Sequence, residues 1–209
     1  MAKGNSGGRR GGGNGTSLAL QREAVEWYVS GEGQWINQHL RGRMGDSSLT
    51  ENEEQLLKGL DAATANNIGE RTLYRSVDAS AVFGDISQSD YEDLLNRMVY
   101  GDAGNKTLNA KADSILSRAS EGKQYTEKGF MSTTIDADIA HDWGDFTGSS
   151  KPIVLKLKTK STTKGKDLTK HSMGQGEFLL ARNQKWHLTK IGVESVNGNT
   201  NIVVYGEFD

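Results

Sequence analysis

Residues 128–134 read Lys-Gly-Phe-Met-Ser-Thr-Thr, and the character of the chain changes at this point. A glycine leading into aromatic, apolar and β-branched residues is the pattern of a turn feeding a strand. Upstream of it the apolar residues recur at helical spacing. Leu20, Ala24, Trp27 and Tyr28 share one face of residues 17–28, with Ser17 placed to cap them, and Gly31 and Gly33 interrupt the pattern before a second helix carrying Trp35, Ile36 and Leu40. Residues 52–63 bring Leu56, Leu57 and Leu60 together, residues 91–99 do the same for Leu94, Leu95 and Met98, and a further short helix is expected over 111–118. The one early β-prone run is Thr72-Leu73-Tyr74-Arg75-Ser76-Val77. Downstream of residue 124 the strand-like segments are 152–158, 177–181, 186–192 and 201–208, with a long loop expected over 135–151. Helices first and short strands later give an α+β class with an antiparallel sheet core.

Composition bounds the rest. At 209 residues the chain fits a single domain with a real core. Residues 1–15 hold seven glycines, and their charged residues are Lys3, Arg9 and Arg10. Such a stretch buries too little apolar surface to offset its chain entropy, so it is expected to be a disordered basic arm, with the folded domain spanning 16–209. No apolar run follows the early charges, so no signal peptide is expected, and no window of about 18 apolar residues suggests a membrane span. The absence of cysteine removes disulfides, thiolate metal sites and a thiol nucleophile, and it suits a cytoplasmic setting. His39, His141, His171 and His187 lack metal spacing, so no metal is expected. The net charge of −2 argues against a dedicated nucleic-acid binder. Residues 151–170, with seven lysines against Asp167 alone, read either as a solvated loop or as a basic lip for an acidic or phosphate-bearing partner.

Four short motifs stand in order: Trp-Ile-Asn-Gln-His-Leu-Arg-Gly at 35–42, Leu-Tyr-Arg-Ser at 73–76, Phe-Met-Ser-Thr-Thr at 130–134, and Gln-Gly-Glu-Phe-Leu-Leu at 175–180. Each is common alone. Together, in this order and on these elements, they resemble the mono-ADP-ribosyltransferases of the exoenzyme class, the R-S-E family, in a Gln-x-Glu variant similar to the Rho-modifying clostridial exoenzymes and to phage and bacterial effector transferases. The resemblance implies an ADP-ribosyltransferase-like fold, with N-terminal helices packed on two antiparallel β-sheets that flank an NAD cleft. NAD would be the co-substrate, and a protein in a host cell the target of a monomeric enzyme.

Chemistry gives the residues their roles. Cleaving the nicotinamide–ribose bond releases a neutral ring and leaves growing positive charge on the sugar, as in glycoside cleavage. One carboxylate beside the ribose stabilises that charge, and Glu177 is the candidate. The pyrophosphate calls for a guanidinium fork, and Arg75 fits by position. By resemblance, Asn37 and Arg41 add contacts, Ser132 holds glutamate and ribose in register, and Thr133 braces the pocket. If Gln175 and Glu177 belong to one extended segment they face the same side, so the Gln175 amide can orient an incoming nucleophile. Catalysis is therefore assigned to Glu177, Gln175, Arg75 and Ser132. NAD binding is assigned to Arg75, Ser76, Ser132, Thr133, Asn37, Arg41, Phe146 and Glu177.

By resemblance, Gln175 rather than a glutamate points away from arginine as acceptor. The chain departs from the family pattern in three places. His171, Ser172 and Met173 occupy a turn that usually carries an aromatic residue, Ser76 stands where glycine is frequent, and the loop after the Ser-Thr-Thr strand offers Trp143 and Phe146 but no arginine. Two other readings stand beside the leading one: ADP-ribosylation of RNA or DNA, suggested by the basic arm and lip, and an inactive NAD-binding or virion component.

Overall fold

The structure, a computed structural model, describes residues 16–45, 48–101, 106–146, 149–170 and 176–209; the proposed arm at 1–15 lies outside them. Helix α1 (Leu18–Trp27) starts where Ser17 Oγ accepts from the Leu20 N–H at 3.1 Å. It does not end in a loop. A π-helical turn, Tyr28–Glu32, joins it to α2 (Gly33–Leu40), and Gly31 takes the kink at φ 118°, a backbone conformation open to glycine. Helix α3 (Glu51–Ala63) opens on a reciprocal capping box between Thr50 and Glu53. These N-terminal helices bury Ala24, Val25, Tyr28, Ile36, Leu56 and Leu60 against Leu179 of the sheet and against Phe130 and Leu168, which flank its strands.

The remaining elements are β1 (Thr72–Asp78), α4 (Ser80–Phe83), α5 (Gln88–Tyr100), α6 (Lys106–Ser117), β2 (Gln124–Glu127), β3 (Met131–Thr134), α7 (Ala137–Phe146), β4 (Pro152–Lys158), β5 (Gly165–Asp167), β6 (Glu177–Leu180), β7 (Gln184–Val196) and β8 (Asn199–Phe208). Helices α5 and α6 cover the main core, where Leu94 and Ile115 join Leu73, Met131, Ile153, Leu157, Phe178 and Leu180. Among the described residues no helix is long and apolar enough to cross a membrane.

Three expectations need correction. The strands form a single eight-stranded sheet, ordered β2-β7-β8-β4-β1-β3-β6-β5, rather than two sheets. Its halves join at β1 and β3, which share the one register pair Tyr74↔Thr134, whereas β1–β4 and β3–β6 run as continuous ladders. The sheet is also mixed, because β4 and β8 pair in parallel. Finally, the loop expected at 135–151 contains α7. Asp136 starts that helix by accepting from the Asp138 N–H at 2.9 Å, and Ala140 seats it on Val154 and Val203.

Gly59 sets the approach of α1 to α3. A Cβ there would sit 2.7 Å from Ala24 Cβ and 2.9 Å from the Leu20 carbonyl oxygen. In an open helix Gly→Ala gains about 0.8–1.0 kcal/mol, but overpacking a filled contact costs about 1–3 kcal/mol. Since one obstacle is backbone, the second effect wins. Gly59→Ala is expected to lower the urea midpoint at unchanged slope; a raised midpoint would show that the helices separate freely.

Candidate active site

The site lies where the sheet is weakest. Beyond Tyr74↔Thr134 the ladder between β1 and β3 stops, so Arg75 and Ser76 on one strand and Ser132 and Thr133 on the other have no cross-strand backbone partner in each other. The Arg75 side chain spans the gap, with Nη1 donating to the Ser132 carbonyl at 3.3 Å. Ser76 is buried, and its Oγ has no hydrogen-bond partner among the described residues. A buried hydroxyl without a partner is costly, so one aimed into a pocket suits a polar ligand.

On the other side, β3 and β6 pair Thr134 with Glu177 and Ser132 with Leu179. Glu177 and Ser132 are therefore diagonal neighbours on one face, and both line the same pocket. Thr133 faces the opposite way, is buried, and donates through Oγ1 to the Phe178 carbonyl at 3.0 Å, tying β3 to β6. Gly176 has a φ of +56° and its carbonyl accepts from the Ile135 N–H at 3.1 Å. That left-handed residue ends the extended segment at Glu177, so the shared side expected of Gln175 and Glu177 from strand parity does not follow.

Arg75, Ser76, Ser132, Thr133, Ala140 and Glu177 line a small pocket with about 20 Å³ open to the centre of a water molecule. Through Arg75 and Ser76 it adjoins a larger cleft of about 520 Å³, whose lining includes Arg41, Arg43, Tyr125, Glu127 and Lys128. Such a volume lies within the range of small-molecule sites, roughly 300–1,000 Å³. Arginines and a lysine outnumber the acids there, as an anionic ligand requires. Glu127 orders part of this wall: its Oε1 accepts from Arg41 Nε at 3.0 Å and from the Gly129 N–H at 2.9 Å.

Burial lowers the Arg75 guanidinium from its ordinary value, with Tyr28 and Glu127 acting to raise it and Arg41 to lower it. Arginine starts so high that it stays a cation. Burial also raises the Glu177 carboxyl above its ordinary value, and the neighbouring Ser132 hydroxyl acts to lower it.

Of the residues expected from sequence, Arg75, Ser76, Ser132, Thr133 and Glu177 meet at one pocket, with Arg41 on the adjoining cleft. Asn37 is only 5 % exposed, and its amide is engaged inside the protein by Phe130 and Tyr28. Gln175 and the turn at 171–173 lie outside the described residues, as do the side chains of Trp143 and Phe146. Sequence reading missed Tyr28, Arg43, Glu127 and Lys128. Tyr28 gave the signal of a core aromatic, because it shares a helical face with Leu20 and Ala24. Gly129 was a clue to Asn37: a Cβ there would lie 2.5 Å from Asn37 Oδ1.

The ADP-ribosyltransferase exoenzyme family model matches residues 17–208. Among solved structures, the chain is similar to C3larvin toxin, an ADP-ribosyltransferase from Paenibacillus larvae (24 % identity, TM-score 0.58, 92 % of this chain and 88 % of that one). It is also similar to the ADP-ribosylating toxin BECa of a binary enterotoxin of C. perfringens, solved with NADH (16 % identity, TM-score 0.64, 92 % of this chain and 44 % of that one). A third likeness is to the enzymatic component C2-I of the C2-toxin from Clostridium botulinum (20 % identity, TM-score 0.60, 91 % of this chain and 43 % of that one). At these identities the likeness is one of fold. Among curated proteins, none matches the sequence.

The raised Glu177 carboxyl links the site to stability. Below the ordinary carboxyl range the group is protonated in folded and unfolded chains alike and costs nothing. As the pH rises, the unfolded chain ionises first, so the folded protein carries a penalty that is complete above the raised value. Glu177→Gln is therefore expected to melt at a higher temperature than the parent at pH 7, with the difference shrinking as the pH falls toward 4. A variant that melts lower at pH 7 would show that the folded protein favours the carboxylate.

Proposed function

The chain belongs to the ADP-ribosyltransferase exoenzyme family and is an NAD-dependent mono-ADP-ribosyltransferase; from that premise we propose that its acceptor is a protein side chain other than arginine. The observation that carries the catalytic reading is the convergence of Glu177, Ser132, Arg75 and Ser76 on one pocket that opens into a basic cleft. The cleft suits the pyrophosphate of NAD, and the buried, unpartnered Ser76 hydroxyl suits a polar group of the substrate. In the reaction the C1–N bond breaks and its electron pair leaves with nicotinamide. Glu177 faces the positive charge that develops on the ribose. The acceptor then adds to C1 and gives up a proton. Gln175 sits two residues before Glu177, and its neutral amide can donate and accept to orient such an acceptor, whereas it lacks the charge that would draw a guanidinium.

The basic stretch gives a nucleic-acid acceptor little support. Lys156 pairs with Glu194 and Lys158 with Glu207, while the amines of Lys151 and Lys164 donate to the carbonyls of Ile86 and Ala65. Most of the stretch is thus used within the fold. An inactive role fits poorly with a site that keeps its carboxylate, its guanidinium and the serine between them.

Incubation with labelled NAD and lysates of bacterial and animal cells is expected to label a discrete band that survives nuclease and is lost to protease. Glu177→Ala should reduce the labelling by about a hundredfold or more, the scale of losing a group aimed at transition-state charge. Agmatine, a small guanidine acceptor, should remain unmodified. Label removed by nuclease would transfer the acceptor to nucleic acid, and efficient modification of agmatine would restore arginine.

A further inference from the structure

Behind the pocket, in the wall between the N-terminal helices and β3, four polar groups stand in line. The Phe130 N–H donates to Asn37 Oδ1 at 2.7 Å, and Asn37 Nδ2 donates to the Tyr28 hydroxyl at 2.9 Å. The Tyr28 hydroxyl lies 3.4 Å from Ser132 Oγ, and Ser132 and Glu177 are diagonal neighbours on one strand face that line the same pocket. Asn37 and Tyr28 are only 5 % and 7 % exposed. Two glycines make room for them: a Cβ on Gly129 would strike Asn37 Oδ1 at 2.5 Å, and one on Gly33 would strike the Tyr28 ring at 2.8 Å.

The direction of every proton along this line is fixed from one end. A backbone N–H can only donate, so the amide oxygen of Asn37 must face Phe130 and its NH₂ must face Tyr28. The Tyr28 oxygen then accepts, and its single proton is free for Ser132. Ser132 accepts in turn, leaving its own proton for Glu177, and a carboxylate can only accept. We propose that Asn37 and Tyr28 are positioning residues that aim the Ser132 proton at the Glu177 carboxylate. A backbone amide thereby sets the orientation of the catalytic acceptor through three side chains. The arrangement explains why a buried amide and phenol are kept where Leu and Phe would fill the space without polar groups to satisfy. It also gives Asn37 a task inside the protein, in place of the NAD contact that resemblance suggested. The lowering of the Glu177 carboxyl by Ser132 agrees with it.

The inference rests on the reading of Glu177 as the catalytic carboxylate. Its test is the pH profile of NAD hydrolysis without a target, in parent, Tyr28→Phe and Asn37→Asp, each checked by thermal melting. Tyr28→Phe leaves the Ser132 hydroxyl free to turn. In Asn37→Asp at pH 8 the ionised carboxylate still accepts from Phe130, but it takes the Tyr28 proton as well. Tyr28 must then accept from Ser132, and the proton is drawn away from Glu177. Expected is a kcat lowered by about tenfold to a hundredfold in Asn37→Asp at pH 8, the scale of one hydrogen bond to a charged group, with a smaller loss in Tyr28→Phe. The acidic limb of kcat should move to higher pH in both, while KM for NAD stays within about twofold because the binding cleft is untouched. A folded Tyr28→Phe with the parent's kcat and acidic limb overturns the inference, and that variant decides alone if Asn37→Asp does not fold. If the parent itself cleaves no NAD, the catalytic reading fails. The inference is then judged by carboxyl NMR of Glu177, where identical titration in parent and Tyr28→Phe overturns it and a higher midpoint in the variant supports it.

Discussion

The sheet of this protein is held together at its middle by one pair of residues. Between β1 and β3 only Tyr74 and Thr134 are in register, while the neighbouring ladders run the length of their strands. An interrupted ladder leaves strand polar groups without their usual partners, and inside a protein these must be satisfied in some other way. Here the Arg75 side chain reaches across to the Ser132 carbonyl, and the Ser76 hydroxyl is left buried and, among the described residues, unpartnered. A gap in the middle of a sheet therefore becomes a polar pocket whose walls are strands, and strands hold side chains more firmly than loops do.

That origin accounts for how charge is managed at the site. A guanidinium and a carboxylate line the same small pocket, each shifted by burial toward its neutral form. Arginine tolerates this because its ordinary value lies so far above neutrality. Glutamate does not, and it depends on a donor to hold its charge. The donor is a serine, which carries a single proton that can turn away. The buried amide and phenol behind Ser132 supply the constraint that the serine lacks. Glu127 does comparable work on the cleft side, where one carboxylate oxygen fixes both Arg41 and the Gly129 backbone.

The sequence disclosed the parts of this scheme that depend on local pattern. The α+β order, Ser17 as a cap and β1 around Arg75 could be read from spacing, and the grouping of Arg75, Ser132 and Glu177 from the family resemblance that the motifs carry. What escaped depends on long-range pairing. Whether two sets of strands form one sheet or two is decided by the single contact Tyr74↔Thr134, which leaves no periodic trace. Helix α7 escapes such a reading because the two glycines of residues 135–151 suggest a connection, although Asp136 is a helix start. Tyr28 was read as a core aromatic, and the reading was incomplete: its ring is indeed buried beside Phe130, but its hydroxyl reaches Ser132, 104 positions away.

The same distinction separates what this fold holds constant from what it leaves open. Glu177 is tied down on both sides, by Thr134 across the β3–β6 ladder and by the Leu168 N–H, which donates to its carbonyl at 2.8 Å. One residue earlier, Gly176 turns into the left-handed region against Ile135, where a Cβ would meet the Ile135 side chain at 2.5 Å. Glycine is required there on two counts, conformation and space. It marks the point at which the ladder that fixes the Glu177 carboxylate begins. Cleavage of NAD needs a fixed charge, whatever the acceptor. Choice of acceptor needs surface that can differ without disturbing that charge. A left-handed glycine immediately before Glu177 lets the chain turn off the ladder there without moving that charge.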